Sequence, residues 1–214
     1  MSKVVLFQGD SLTDGNRERE NPLHTGNCYV NFVKNELSVD HPEEFIYYNR
    51  GISGNRIVDL YARLNSDFIN LKPDYASILI GVNDVWHGIR YNNGVDTEKF
   101  ERIYDWMLQE IFAACPGIKL MLITPFAVEG SATCGVEEQP DRWERFRTEV
   151  AEKAAVTKKM AEKYGLPLIE LQPVFDKLLE QAPADYWVRD GVHPTAAGYT
   201  VIKRLWIETF KKML

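Results

Sequence analysis

The sequence predicts an α/β protein in which parallel strands form an open sheet with helices on both faces. Three observations predict it: five short apolar runs too brief for helices, longer stretches of helical spacing between them, and regular alternation of the two kinds along the chain. That order implies parallel strands joined by right-handed crossovers.

Each element has its own warrant. Val4–Phe7 is a first strand, rich in apolar and β-branched residues, and it runs directly into Gln8-Gly9-Asp10-Ser11-Leu12-Thr13-Asp14-Gly15. One serine, Ser11, therefore stands at a strand-to-turn junction flanked by glycines. Helical spacing follows from Tyr29 to Leu37. Phe45–Tyr48 is a second strand, and Asn49-Arg50-Gly51-Ile52-Ser53-Gly54-Asn55 after it is a turn with two glycines that leads into a helix over Asn55–Ile69. Glycines there let backbone approach a ligand closely, and N–H groups near a helix start point outward as donors. The third strand, Ala76–Ile80, ends in Gly81-Val82-Asn83-Asp84, which offers an amide side chain. A helix over Thr97–Ala114 and a fourth strand, Leu120–Ile123, come next; Ala127–Pro140, with Gly130, Ser131, Gly135 and Glu137-Glu138, reads as a long loop of the kind that shapes an active site. Trp143–Tyr164 is helical, Leu166–Leu171 is the fifth strand, and Ala196–Met213 is an amphipathic closing helix with Val201, Leu205 and Ile207 set among Lys203, Arg204 and Glu208.

Composition bounds the function classes. At 214 residues the chain suits a single domain, residues 1–214, with a sizeable core. No run approaches the ~18 apolar residues of a membrane span, and Met1-Ser2-Lys3 leads straight into a strand with no long apolar leader, so a cytoplasmic location and no membrane partner are expected. Cys28, Cys115 and Cys134 are odd in number and lack metal-type spacing, which makes them free thiols. The net charge of -6 and scattered basic residues argue against a nucleic-acid partner.

Open α/β sheets place chemistry at the carboxyl ends of their strands. Acyl transfer needs a hydroxyl nucleophile, a base, a group that orients the base, and donors for the tetrahedral oxyanion. Ser11 supplies the nucleophile. Near the far end, Asp190-Gly191-Val192-His193-Pro194 supplies His193 as base with Asp190 three residues earlier to fix its tautomer. The backbone N–H groups of Ser11 and Gly54 and the side-chain NH₂ of Asn83 would form the oxyanion hole. Taken singly, each residue has a plainer role: Ser11 a turn or cap, His193 a surface histidine before a helix begun by Pro194, Gly51 and Gly54 a tight turn, and Asn83-Asp84 an Asx turn or helix cap. Their combination favours catalysis. His24, His41 and His87 have no metal-ligand spacing, so no metal and no cofactor is expected.

Gly9-Asp10-Ser11-Leu12, Gly54 within its turn, Asn83 in Gly81-Val82-Asn83-Asp84, and Asp190-Gly191-Val192-His193-Pro194 resemble the four blocks of the SGNH (GDSL-type) hydrolase superfamily, in the family's order. The resemblance implies a three-layer α/β/α sandwich with a flavodoxin-like five-stranded parallel sheet. It also implies metal-free esterase or lipase activity, with Ser11, Gly54, Asn83 and His193 as the name-giving residues and Asp190 as third member of the triad.

The runs Gly81–Trp86, Arg50–Arg56 and Thr124-Pro125-Phe126 are most similar to intracellular bacterial acetyl xylan esterases, which implies O-acetyl groups on xylo-oligosaccharides as substrate and assembly as a homo-oligomer. Trp86, Tyr186 and Trp187 could stack on sugar faces, His87 and Arg90 could donate to hydroxyls, and Asp10 joins them as a candidate substrate contact. Trp86 and Trp187 serve equally well as packing residues. Readings that stay open are a short-chain lipid esterase or lysophospholipase, a non-catalytic carbohydrate-binding protein, and an aspartyl-phosphate phosphatase with Asp10 as nucleophile, although Leu12 stands where that chemistry expects a second acid.

Overall fold

The computed structural model describes residues 2–214. Its sheet has five parallel strands, β1 (Lys3–Gly9), β2 (Phe45–Gly51), β3 (Tyr75–Leu79), β4 (Lys119–Ile123) and β5 (Leu168–Ile169), in the order β2-β1-β3-β4-β5. The helices are α1 (Ser11–Asp14), α2 (Tyr29–Asp40), α3 (Ile57–Ala62), α4 (Leu64–Asp67), α5 (Val82–Tyr91), α6 (Thr97–Ala114), α7 (Arg142–Tyr164), α8 (Gln172–Leu179), α9 (Ala184–Trp187) and α10 (Ala196–Lys211).

The pleat sorts strand residues into two cores. Val5 and Phe7 of β1, Leu79 of β3, and Met121 and Ile123 of β4 face one layer, packed by Val33 of α2 and by Ile202, Trp206 and Phe210 of α10. Leu6, Ala76, Ile78, Leu120 and Leu122, the alternate positions, face the other, packed by Leu60 of α3, by Phe100 and Met107 of α6, and by Met160 of α7. A sheet covered on both faces reads as a continuous apolar run, because both pleat positions are dry. This is the expected three-layer α/β/α sandwich.

Strand order sets the site. β1 lies between β2 and β3, so the chain leaves β1 to one side and later returns on the other, opening a crevice at the carboxyl ends of the strands. Ser11 follows β1, Gly54 follows β2 and Asn83 follows β3.

Four details depart from expectation. The helix expected over Asn55–Ile69 is broken into α3, α4 and a 3₁₀ turn at Ile69–Leu71. The break falls at Arg63 (φ -110, ψ 16), whose guanidinium donates to the carbonyls of Arg50 at 2.8 Å and Gly9 at 3.2 Å, at the ends of β2 and β1. A continuous helix is exchanged for these half-buried, charge-assisted bonds. α5 has no counterpart among the expected helices, yet Val82, Val85 and Ile89 pack inward at helical spacing. Gly81 starts it at φ +134, where a Cβ would lie 2.8 Å from Pro125 Cγ. β5 is shorter than Leu166–Leu171 because Leu166 N–H is spent on the carbonyl of Ala161 at the end of α7, Pro167 has no N–H, and Leu171 already caps α8. The short helices α1, α8 and α9 had no counterpart in the sequence reading.

Candidate active site

The loop after α9 shapes one half of the site. Asp190 Oδ1 accepts the backbone N–H groups of Val192 at 2.9 Å and His193 at 2.8 Å, folding four residues into a tight turn. Gly191 sits at φ +104, and a Cβ there would come within 2.4 Å of Thr133 Oγ1. The long loop after β4 braces this turn from behind: Val128 N–H donates to Gly191 O at 2.9 Å and Ala132 N–H to Asp190 O at 2.7 Å.

Folded in this way, Asp190 and His193 share one face. His193 Nδ1 lies 2.7 Å from Asp190 Oδ2, and His193 Nε2 lies 2.9 Å from Ser11 Oγ, across 182 positions of sequence. A carboxylate accepts only, so Nδ1 carries the ring proton and Nε2 presents its lone pair to the serine hydroxyl. Burial alone would raise the Asp190 carboxyl, but hydrogen bonds from the His193 ring and from the backbone of His193 and Val192 outweigh it and hold the group at about 2.

Ser11 opens α1. Asp10 caps that helix, its carboxylate accepting Leu12 N–H at 3.0 Å. Among the described residues neither the Ser11 nor the Gly54 backbone N–H donates to another protein group. Gly54 adopts φ +81, and the nearest atom to a Cβ built on it is His87 Nε2 at 4.0 Å, so its face is open. Asn83, the second residue of α5, is 5 % exposed and gives one Nδ2 hydrogen to Asn55 O at 3.2 Å, leaving the other. The structure thus brings together Ser11, Gly54, Asn83, Asp190 and His193 at one rim.

Two cavities flank the serine. One, of about 250 Å³, is bounded by Gly54, Asn83, Trp86, His87, Arg90 and Tyr91, with the Trp86 and His193 rings 5.9 Å apart. Burial beside the Arg56 guanidinium lowers the His87 imidazole from its ordinary value. The second, of about 430 Å³, is bounded by Asn16, Asn27, Ser53, Arg189 and Tyr199 together with Asp190 and His193. Trp86, His87 and Arg90 are therefore placed at the rim beside Ser11.

Asp10 and Trp187 are not. Asp10 is 1 % exposed and turned into the protein, where burial pushes its carboxyl up to about 7 against the pull of Leu12 N–H and the nearby His193. It is a helix cap without access to substrate, which also removes it as a phosphatase nucleophile. Trp187 packs against the α10-side core beside Tyr186 and lines neither cavity. The 430 Å³ cavity went unread. Its walls come from three separate loops and from Tyr199 of α10, which no local pattern in the sequence brings together. Among the described residues no group of three or more His, Cys, Asp or Glu is placed to hold a metal ion, and no helix is long and apolar enough to cross a membrane.

Residues 7–201 match the model of the GDSL-like lipase/acylhydrolase family. An acetylxylan esterase from Geobacillus stearothermophilus is 34 % identical over 214 residues, covering 95 % of this chain and 91 % of that one. The solved structure of Axe2, an acetylxylan esterase from the same organism, superposes with a TM-score of 0.84 at 30 % identity, covering 97 % of this chain and 93 % of that one. LAE5, an alpha/beta hydrolase from the metagenome of Lake Arreo, superposes at 0.83 with 28 % identity, covering 97 % and 94 %.

Proposed function

Because the chain belongs to the GDSL-like lipase/acylhydrolase family and is a carboxylic ester hydrolase, we propose that it removes short acyl groups, chiefly acetyl, from hydroxyls of carbohydrate such as xylo-oligosaccharides, through an acyl-Ser11 intermediate. The single observation that carries the mechanism is the unbroken contact from Ser11 Oγ through the His193 ring to Asp190, at 2.9 and 2.7 Å. Two solved variants of Axe2 are catalytic mutants in which a serine or an aspartate is replaced by alanine, the residue types placed here at positions 11 and 190.

The reaction follows from the geometry. His193 Nε2 takes the Ser11 proton as Oγ attacks the ester carbonyl, and Asp190 stabilises the imidazolium that forms. Negative charge gathers on the former carbonyl oxygen, which the free N–H groups of Ser11 and Gly54 and the spare Asn83 hydrogen receive. Collapse expels the alcohol, which takes the proton back from Nε2. Water then repeats the sequence on the acyl-serine and restores the enzyme.

Substrate preference rests on the walls of the cavities. Trp86 and Tyr91 offer aromatic faces, while His87, Arg90, Asn16, Asn27 and Arg189 offer donors for hydroxyls. The same reading puts the protein in the cytoplasm, where its three free thiols persist reduced, and as an assembly of identical copies. Cell fractionation and light scattering measure those two points.

A fluorophosphonate should label Ser11 and stop p-nitrophenyl acetate hydrolysis. Turnover of acetylated xylo-oligosaccharides should exceed that of lysophospholipid and of acetylated sialic acid. Preference for the lipid would overturn the carbohydrate assignment, and a fully active Ser11→Ala variant would overturn the mechanism.

A further inference from the structure

The three donors assigned to the oxyanion rest on three separate segments, and the middle one has little structure of its own. Residues 52–56 belong to neither strand nor helix, held by the Asn55 N–H bond to Ile52 O and the Ile52 N–H bond to Gly9 O. Nothing packs closely over Gly54. Its N–H direction must be set from the flanks.

Two buried carboxyl groups grip those flanks. Asp14, three residues after Ser11 on α1, accepts Ser53 N–H at 2.8 Å and the Ser53 hydroxyl at 2.9 Å with Oδ2, while Oδ1 accepts Arg17 N–H at 3.2 Å. Asp84, the neighbour of Asn83 on α5, accepts Ile57 N–H with Oδ1 at 3.0 Å and Oδ2 at 3.2 Å. They are 4 % and 2 % exposed and line neither cavity beside Ser11. Each belongs to a segment that carries one donor and reaches across to the segment that carries Gly54. Asn83 adds a third tie through Asn55 O.

We propose that Asp14 and Asp84 are positioning residues that lock the Gly54 N–H onto the same point as those of Ser11 and Asn83, so that the hole is rigid before substrate arrives. The proposal rests on the oxyanion assignment above. Preorganised donors act only when aimed at the developing charge, and a displacement of about 1 Å costs on the order of 10²-fold in rate. Buried carboxyl groups suit this task, since a peptide N–H bonded to an acceptor in a dry site has no competing water.

The test uses p-nitrophenyl acetate, a small ester that leaves sugar recognition aside, with kcat expressed per active site titrated by a fluorophosphonate, so that any unfolded fraction drops out. Asp84→Ala and Asp14→Ala should each lower kcat per site about 10- to 100-fold with KM within about twofold. Asp84→Asn should recover most of the loss, because one carbonyl oxygen suffices for the single Ile57 N–H. In an Asn83→Ala background either alanine change should cost several-fold less than it does alone, since residues that serve one hole act as a unit. A boronic acid, whose tetrahedral adduct places an oxygen in the hole, should lose affinity in parallel with kcat. Wild-type kcat per site in both alanine variants, or losses that multiply fully with Asn83→Ala, would overturn the proposal while the esterase mechanism stands. An Asn83→Ala enzyme of full activity would instead refute the oxyanion assignment itself.

Discussion

Replacing Asp190 by asparagine separates the two tasks this carboxylate performs. Oδ1 receives two backbone N–H groups and Oδ2 receives the imidazole Nδ1–H. An amide has one acceptor oxygen, and the two backbone donors claim it, because turning the NH₂ toward them would set donor against donor. The NH₂ then faces His193 Nδ1, which must become an acceptor. That moves the ring proton to Nε2, where it points at Ser11 Oγ and leaves no base. Loss of the correct tautomer in a serine triad lowers kcat about 10⁴-fold.

Stability should change little by comparison. The carboxyl is held at about 2 against an ordinary 3.8, and at 1.36 kcal/mol per unit this amounts to about 2 kcal/mol, an upper figure because the side chain is partly exposed. Since the folded value lies below the unfolded one, that contribution is complete above about pH 4 and is lost as pH falls from there toward 2. Asp190→Asn should therefore remain folded at neutral pH and lose part of the steepness of acid unfolding. Steady-state hydrolysis of p-nitrophenyl acetate and chemical denaturation at several pH values measure both effects. A variant that keeps kcat within tenfold of wild type would refute the tautomer argument.

Other consequences can be measured on the same enzyme. Asn83→Ala should lower kcat about 10²- to 10³-fold, roughly 3 to 4 kcal/mol of transition-state stabilisation, with a circular-dichroism spectrum like that of wild type. Burial raises Asp10 to about 7 and Asp84 to about 8, the latter against the pull of Ile57 N–H and Lys153. Folded values above unfolded ones mean that their contribution to stability is full below about pH 4 and declines as pH rises toward 7 and 8. Thermal melts of Asp10→Asn and Asp84→Asn should show a smaller decline with pH over that interval than wild type does.

Much of this was legible in the sequence because the sheet is covered on both sides. Val4–Phe7 and Leu120–Ile123 read as strands since neither pleat face needs a polar residue. The site was legible because acyl transfer constrains residue type and place together: a serine after the first strand, a glycine turn after the second, an amide after the third, and an acid three residues before a histidine.

What was hidden depends on tertiary contacts. Arg63 breaks a periodic helix to reach two carbonyls on neighbouring strands, and no pattern local to it announces them. α5 was masked because Asn83 and Asp84 in its first turn favour turns when judged by local preference, while the packing of Val82, Val85 and Ile89 makes the helix. Trp187 looks like a sugar platform on residue type alone, but it is half-buried and packs against the core. Asp14 and Asp84 were visible only as letters of their motifs. Their bonds to Ser53 and Ile57 appear once the strand ends are side by side.

The central claim is that Ser11, activated by His193, carries the acyl group between two half-reactions. Acid quenching during turnover of an acetylated substrate, followed by peptide mass spectrometry, tests it most directly. The account predicts an acetyl adduct on the peptide that contains Ser11, absent in Ser11→Ala and unable to accumulate in His193→Ala. Turnover with no adduct on that peptide, or with the acetyl group on another side chain, would contradict it.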